Sequence, residues 1–230
     1  MADNDWTNFL SQIQHLEQEG RVTRTFRRLD PARQRAIINA ILEEATDKGP
    51  ASLCIKEVAR RAGVSVGSLY QYFPNRDGLL DFAVELCVRY MTTLFDMSRP
   101  YLLSMPLREA LNVYLTVGLE WGKTESGLVR FFGRAAYQGD PVLARRLVRP
   151  VAEAMRMITF EMLTAAVKQG EIRPEVDVEA ASRLVNGILI VVGDSQMLPY
   201  LNTYFQITDE KVTPDQILNS LVPFILKGLN

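Results

Sequence analysis

Apolar residues recur every three or four positions along most of the chain, which is the spacing of one face of an amphipathic helix. Alternating apolar and polar positions, which are typical of strands, do not appear in the sequence. The pattern therefore predicts an all-α fold. Five helices are predicted over residues 30–48, 75–97, 107–122, 178–198 and 213–228. A pair of short helices is predicted within residues 55–73, and a further helix is predicted from about residue 142 or 151 to residue 168.

Proline and glycine indicate where several of these helices begin and end. Asp30 followed by Pro31 is a helix cap with a first-turn proline. Pro100 is expected to break the chain after the long helix that begins near residue 75. Pro150 is expected to kink or divide the helix that ends before Gly170.

Residues 55–73, IKEVARRAGVSVGSLYQYF, have the pattern of two short helices packed across a tight turn. Ile55 and Val58 lie on one face of the first helix. Gly63 stands at a left-handed turn position, where a side chain would meet its own backbone. Ser65 is a suitable cap for the second helix. The segment therefore predicts a helix-turn-helix.

The second helix of this pair has distinct inner and outer faces. Leu69, with Tyr72 or Phe73, forms the inner face. The outer face is short and uncharged and carries hydrogen-bonding groups, which suits the edge of a base. The outer residues are Val66, Gly67, Ser68, Tyr70 and Gln71. An ordinary helical hairpin without nucleic acid is the alternative interpretation.

The segment resembles, nearly residue for residue, the DNA-binding signature of the tetracycline-repressor (TetR) family. The matching elements are the basic start of the first helix, A-G-V-S, x-G-S-L-Y-x-Y-F, and the N-R-D-G-L-L that enters the next helix. The resemblance covers residues 33–80, about a fifth of the chain. It implies an N-terminal three-helix helix-turn-helix DNA-binding domain, followed by a larger helical ligand-binding and dimerisation domain.

The resemblance also implies which residues contact DNA. Those expected to approach bases or the adjacent sugar-phosphates are Val66, Gly67, Ser68, Tyr70 and Tyr72. Those expected to hold phosphates are Cys54, Lys56, Gln71, Asn75 and Arg76. Cys54 departs from the family pattern, because a Thr hydroxyl or a similar group commonly stands there. Its contact is therefore expected to be weak or to come from the backbone amide.

The length of the chain bounds its domain organisation. A chain of 230 residues, 47% hydrophobic and 23% charged, suffices for one small and one larger domain. The expected boundaries are an N-terminal extension over residues 1–29, the DNA-binding domain over residues 30–76, and the ligand-binding and dimerisation domain over residues 77–230.

Targeting signals and a disulfide framework are not expected. No apolar run reaches the length of a membrane span, and the N-terminus lacks a basic-then-apolar signal pattern. A cytoplasmic location is therefore expected. The two cysteines, Cys54 and Cys87, both fall within helical patterns and indicate free thiols.

Charge is distributed unevenly along a chain whose net charge is −1. Residues 1–20 contain four acidic residues and no Lys or Arg, whereas residues 21–76 contain eleven basic and five acidic residues. This local excess of positive charge is expected where phosphates are neutralised. A solvated basic face without a partner is the alternative.

The first thirty residues form an extension with two parts. The first part predicts a helix ending near Gly20, with one face formed by Trp6, Phe9, Leu10, Ile13 and Leu16. The second part, RVTRTFRRLDP, is basic and lacks a core pattern. It is interpreted as an arm reaching the minor groove, where negative potential favours arginine, and its basic residues are Arg21, Arg24, Arg27 and Arg28. A solvated linker is the alternative.

Catalytic motifs are not found in the sequence. The only histidine is His15 in the extension, so no Ser-His or Cys-His dyad forms in the main body. Adjacent carboxylates such as Glu43 and Glu44 are interpreted as solvated. No P-loop, dinucleotide fingerprint, HExxH or CxxC is present. We therefore expect no enzyme activity, no cofactor and no metal.

The last two predicted helices, residues 178–198 and 213–228, are apolar around much of their circumference and need cover on two sides. Either both are central in the monomer, or they form an isologous four-helix interface with a second copy. The resemblance favours a homodimer, because TetR-family members dimerise through their two C-terminal helices. The expected interface centres on Leu184, Ile188, Val191, Leu221 and Ile225.

In the TetR family a small molecule enters a pocket in the C-terminal domain and changes the spacing of the two recognition helices. Candidate pocket residues are Trp121, Phe131, Phe132, Tyr137, Met155 and Phe160, and plain core packing is the alternative for each.

The expected function is a sequence-specific transcriptional regulator that binds double-stranded operator DNA, a repressor released by a small-molecule ligand. Two alternatives remain. One is an activator or global regulator without an inducer, and the other is a helical ligand-binding protein that does not act on DNA.

Overall fold

The computed structural model describes residues 3–49 and 52–230, with the backbone alone for residues 3–9 and 138. Within these ranges the regular elements are helices, which agrees with the all-α prediction. They are α1 (Asp3–Gln18), α2 (Arg24–Arg27), α3 (Pro31–Lys48), α4 (Ile55–Ala62), α5 (Val66–Tyr72), α6 (Arg76–Leu103), α7 (Leu107–Thr124), α8 (Ser126–Gln138), α9 (Pro141–Leu143), a π-helical turn (Ala144–Val148), α10 (Arg149–Lys168), α11 (Val178–Met197), α12 (Pro199–Phe205) and α13 (Pro214–Leu229).

The first helix, α1, packs through Ile13 and Leu16, which are fully buried as predicted. Leu10 was placed on the same face, but its side chain is 37% exposed, so that part of the prediction is wrong. At 3.6 residues per turn, Leu10 lies about 120° around the helix from Leu16 and falls at the edge of the buried face. The side chains of Trp6 and Phe9, assigned to the same face, lie outside the described part.

The basic segment after α1 contains core residues, so the prediction that it lacks a core pattern is wrong. Val22 and Phe26 are 3% and 0% exposed. The Thr23 hydroxyl accepts a hydrogen bond from the Phe26 N–H and caps α2. Two apolar residues one helical turn apart are enough to anchor a four-residue helix, but they are too few for a periodic pattern.

The third helix, α3, begins as predicted. The Asp30 carboxylate accepts a hydrogen bond from the Arg33 N–H at 2.9 Å, and Pro31 occupies the first turn. Ile37 and Ile41 are buried on the inner face of the helix. This helix is the support on which the next two helices are placed.

The long helix α6 does not end near residue 97 as predicted. It continues through Pro100 to Leu103. A proline within a helix removes the hydrogen bond to the carbonyl four residues earlier, here that of Asp96. Both Pro100 and Asp96 are exposed, so water can replace this bond and the helix persists for one more turn.

The segment from Pro141 to Lys168 is also helical across its proline. A kink or a division at Pro150 was predicted; the helix is not divided there, and a π-helical turn lies immediately before the proline. The Arg149 N–H donates to the Ala144 carbonyl, five residues back. A proline ring clashes with the carbonyl four positions earlier, and the wider turn is one way to relieve that clash.

The helices α11 and α13 match the two predicted C-terminal helices, but a short helix between them, α12, was not predicted. Pro199 occupies its first turn. Asn202 holds the following loop, because its side chain donates to the Thr208 carbonyl at 2.8 Å and accepts from the Ile207 N–H at 3.0 Å.

The chain divides into two compact units. The first comprises residues up to Thr92 and residues 125–151, and the second comprises residues 93–124 and 152–230. This division differs from the predicted boundary at residue 76, because residues 77–92 and 125–151 pack with the first unit. No helix in the described ranges is long and apolar enough to cross a bilayer.

Candidate nucleic-acid interface

The helices α4 and α5 form the predicted helix-turn-helix. Ile55, Val58 and Leu69 are buried where the two helices meet the core. Gly63 ends α4 with φ 65° and ψ 32°, in the left-handed region that favours glycine. The next N–H, of Val64, donates to the Ala59 carbonyl at 3.0 Å and closes the turn.

Arg61 joins α4 to the supporting helix α3. Its guanidinium lies 2.6 Å from the Asp47 carboxylate, 3.3 Å from Glu44 and 3.5 Å from Glu43. The hydrogen bond to Asp47 raises the pKa of Arg61 above its ordinary value. Arg61 is one of the eleven basic residues within residues 21–76. Its guanidinium is nevertheless engaged by carboxylates of the protein itself, and these ion pairs fix the angle of α4 on α3.

The start of α5 is held by Ser65 as predicted. Its hydroxyl accepts a hydrogen bond from the Ser68 N–H at 3.0 Å. The two hydroxyl groups of Ser65 and Ser68 also lie 2.8 Å apart and hydrogen-bond to each other. A hydroxyl has one donor and two acceptor positions, so Ser68 retains capacity for a further partner from outside the protein.

The outer face of α5 is displayed to solvent as predicted. Tyr70 is 54% exposed, Gly67 and Gln71 are exposed, and Val66 and Ser68 are half-buried. A Cβ built on Gly67 would meet only the Ser65 hydroxyl oxygen, at 3.7 Å, which is ordinary contact. Protein packing therefore does not require a glycine here, whereas close approach of an external backbone would.

Tyr72 belongs to the core, and its expected contact with DNA is not supported. It is 6% exposed, and its ring lies 5.8 Å from the ring of Phe26 in an edge-on arrangement. Its carbonyl accepts a hydrogen bond from the Thr23 N–H at 3.1 Å. The helical spacing had also placed Tyr72 on the inner face, and that assignment agrees with the structure.

Two expected phosphate-binding residues lie at the start of α4. Cys54 is exposed at the cap position and its side chain makes no capping hydrogen bond. Lys56 is exposed and forms no ion pair with the described residues. The ammonium group of Lys56 is thus available to an external anion, while the Cys54 thiol contributes nothing to the cap.

Asn75 and Arg76 organise the start of α6. The Asn75 side chain accepts a hydrogen bond from the Gly78 N–H at 2.8 Å. The Arg76 Nε donates to the Leu53 carbonyl at 2.8 Å, and its guanidinium lies 3.3 Å from Asp77. Both residues therefore have structural partners in addition to the phosphate contacts expected of them.

The N-terminal segment supplies contacts that the sequence did not indicate. The Thr23 hydroxyl donates to the Gln71 carbonyl at 2.7 Å. Arg24 is exposed close to these bonds and forms no ion pair with the described residues. Thr23 and Gln71 are 48 positions apart, and no pattern in the sequence connects residues at that separation. Their contact is therefore visible only in the folded structure.

The five expected dimer residues do not share one face. Leu184 is 70% exposed, and Ile188 and Val191 are half-buried. Leu221 and Ile225 are 6% and 4% exposed within the core of their own unit, which does not support their assignment to the centre of an interface. Ile225 nevertheless also lines the groove described next.

The exposed apolar residue on α13 is instead Phe224, at 67%. With Leu184 and Ile188 of α11 it lines a groove of about 530 Å³ within the second unit. The outer faces of α11 and α13 are therefore apolar at this groove, although their inner faces are already covered.

The expected ligand residues are divided between the two compact units. Those in the second unit, all half-buried, are Trp121, Met155 and Phe160. Those in the first unit are Phe131, which is fully buried, Phe132, which is half-buried, and Tyr137, which is 45% exposed. Core packing accounts for Phe131, and the roles of the others stay predictions.

Comparison with known proteins shows what the segment around the helix-turn-helix is similar to. Residues 37–82 match the family described as bacterial regulatory proteins, tetR family. The chain is 45% identical over 57 residues to HTH-type transcriptional regulator BetI 1 of Chromohalobacter salexigens, a match to 25% of this chain and 28% of that protein. It is 42% identical over 63 residues to BetI of Cronobacter sakazakii, a match to 27% of this chain and 31% of that protein. The chain thus spans about a third or less of these curated relatives.

Two solved structures share the fold over most of the chain. FadR of Bacillus halodurans, a fatty acid degradation regulator, covers 85% of this chain and 99% of its own, with a TM-score of 0.64 and 19% identity. FadR of Bacillus subtilis, in complex with stearoyl-CoA, covers the same shares with a TM-score of 0.62 and 19% identity. The fold is therefore that of a chain with an N-terminal helix-turn-helix followed by further helices.

Proposed function

We propose that this chain, whose residues 37–82 match the tetR family of bacterial regulatory proteins, is a sequence-specific transcriptional regulator. The outer face of α5 carries the proposal. Gly67, Ser68 and Tyr70 are displayed on it, while Leu69 locks the opposite face into the core. A rigid helix with small, uncharged hydrogen-bonding groups on one side suits the major groove.

Phosphate contacts support the same proposal. Lys56 projects from the start of α4 without an ion-pair partner among the described residues. Contacts between exposed cations and phosphates fix the position of a neighbouring recognition helix on the duplex, but they do not distinguish one base sequence from another. The two kinds of contact are therefore expected to respond differently to mutation.

Binding sites selected from a random duplex library, followed by a gel shift at low and moderate salt, test the proposal. Ser68→Ala and Tyr70→Ala are expected to lose about 1–3 kcal/mol on the selected site and little on random DNA. Lys56→Ala is expected to weaken binding to both. Equal losses on both DNAs for Ser68→Ala and Tyr70→Ala contradict the reading role of α5.

A helical ligand-binding protein that does not act on DNA is the alternative from another class. The displayed face of α5 argues against it, because a structural hairpin gains nothing from an exposed Tyr70. The absence of any gel shift at low salt would favour this alternative.

The chain is further proposed to act as a homodimer through α11 and α13. Leu184 and Phe224 are large apolar side chains exposed on these neighbouring helices, and exposed apolar patches of this kind mark interaction surfaces. A two-fold dimer presents two copies of α5 to half-sites about 34–36 Å apart.

A small-molecule ligand is proposed to bind the second unit and to release the protein from its operator, which makes it a repressor. Asn186 supports this: it is 8% exposed, and its side-chain oxygen accepts no hydrogen bond from the described residues. An unpaired buried polar group costs about 1–3 kcal/mol, and a donor on an amphipathic ligand would satisfy it.

Stearoyl-CoA is the first probe for this ligand, because the fold neighbour from Bacillus subtilis was solved with it. A Trp6→Phe variant leaves Trp121 as the only indole, so its fluorescence reports binding in the second unit. Quenching together with reduced operator affinity is expected. A panel of acyl-CoA and other apolar molecules that changes neither quantity would favour a regulator without an inducer.

A further inference from the structure

The segment that contains α2 is attached to the end of the recognition helix α5. The Thr23 N–H donates to the Tyr72 carbonyl at 3.1 Å, and the Thr23 hydroxyl donates to the Gln71 carbonyl at 2.7 Å. Phe26 is fully buried with its ring 5.8 Å from Tyr72 and 5.5 Å from Phe73. These contacts hold α2 at a fixed position beside α5.

A second set of contacts fixes the same segment from the other side. The Gln34 side chain donates to the Phe26 carbonyl at 3.1 Å and to the Arg27 carbonyl at 3.0 Å. The Gln34 side chain is itself fully buried, so these bonds are shielded from water. The segment is thus part of the folded domain, although it lies outside the residues 37–82 that match the tetR family.

The four arginines of this segment differ in their partners. Arg27 forms a close ion pair with Glu17, and Arg21 lies 3.7 Å from Asp81. Arg24 and Arg28 are exposed and form no ion pair with the described residues. They are four positions apart, which places them on the same side of a helical turn.

We propose that Arg24 and Arg28 form a second phosphate-binding site, on the DNA backbone beside the groove that α5 reads. The proposal rests on the proposed function. The guanidinium group offers a planar fork of donors that matches two phosphate oxygens. Because their helix is anchored to the last residues of α5, docking of α5 in a major groove brings both cations to the flanking backbone.

This arrangement differs from the flexible minor-groove arm expected from the sequence. An arm that reads the minor groove inserts its arginines between the two backbones and responds to groove width, and so to A·T content. A short helix held by Thr23 and Phe26 presents its arginines from a folded surface. The expected contact is therefore with phosphates, and it is independent of sequence.

The test is the salt dependence of binding by the full-length Arg24→Gln/Arg28→Gln variant, measured on a selected site and on random DNA by fluorescence anisotropy. The slope of log Kd against log salt is expected to fall by about 0.9 for each arginine. Affinity is expected to fall by the same factor on both DNAs. The Arg24→Lys/Arg28→Lys variant, which keeps the charges, is expected to retain most of the slope.

The matched control is Arg108→Gln/Lys168→Gln, which removes two exposed cations from the second unit and is expected to leave the slope unchanged. A wild-type slope in Arg24→Gln/Arg28→Gln overturns the proposal, and a loss confined to A·T-rich sites replaces it with a minor-groove arm. Wild-type protein that binds neither DNA refutes the proposed function itself, and these two failures are therefore distinct.

Discussion

The Thr23 hydroxyl donates a hydrogen bond to the Gln71 carbonyl at 2.7 Å, across 48 positions of sequence. The acceptor lies near the end of α5, where helix carbonyls lack intrahelical partners. Residues before the segment that matches the tetR family therefore satisfy part of α5. The residues around Thr23 are for this reason part of the same folded unit as α5.

Replacing Phe26 by Ala tests that relationship. Phe26 is fully buried against the rings of Tyr72, Phe73 and Phe82, and truncation of such a side chain costs about 3–5 kcal/mol. Chemical denaturation is expected to show a loss of this size for Phe26→Ala. Tyr70→Ala, an exposed aromatic in the same domain, is the control and is expected to change stability by less than about 0.5 kcal/mol. Equal stabilities for the two variants would mean that α2 is not anchored.

The Gly67→Ala variant tests separately whether stability and whether DNA binding require a glycine at this position. The added Cβ meets no backbone atom within 4 Å, so thermal stability is expected to be unchanged or raised, by at most about 1 kcal/mol. Operator affinity is expected to fall, because the methyl group occupies the surface that approaches the DNA. Gly118→Ala, at an exposed position in α7 that is also open, is the matched control for both measurements. Unchanged affinity in Gly67→Ala contradicts this placement of the DNA.

Charges introduced on the outer faces of α11 and α13 test the proposed dimer. Leu184→Asp/Phe224→Asp is expected to yield a folded monomer by light scattering and circular dichroism, because both side chains are exposed within one chain. Leu221→Asp instead buries an unpaired charge in the core of the unit and is expected to unfold it, at a cost of several kcal/mol. A double variant that remains dimeric would place the interface elsewhere.

The two thiols are expected to differ sharply in reactivity. Burial raises the pKa of the Cys87 thiol to about 12, so it remains protonated and unreactive at neutral pH. Cys54 is exposed and is expected to be alkylated in the native protein. Mass spectrometry after iodoacetamide treatment should show one modification in buffer and two in denaturant. Two modifications at equal rates in buffer would contradict the burial of Cys87.

Features governed by neighbouring residues could be predicted from the sequence. Gly63 in its left-handed turn, and Asp30 and Ser65 as helix caps, depend on backbone geometry within a few residues. The helix pair and its displayed face followed from these local rules. The sequence was therefore informative about the candidate DNA interface.

Features that depend on distant packing could not be predicted in the same way. Phe26 contacts rings that lie far along the chain, and no periodicity records such a contact. On α13 both the inner Leu221 and the outer Phe224 are apolar, so the pattern could not show which one faces the core. The seven residues of α12 are too few for a helical period to be recognised between two longer helices.

The most direct test of the account is the selection of DNA from a random duplex library by the purified chain, with Ser68→Ala/Tyr70→Ala run in parallel. The wild-type protein is expected to enrich sites that share an inverted repeat, with half-sites about one helical turn apart. The variant is expected to enrich no such repeat, because its fold is intact and only the reading face of α5 has changed. An identical set of sites for the two proteins, or no enrichment by the wild type, would contradict the claim that α5 reads operator DNA.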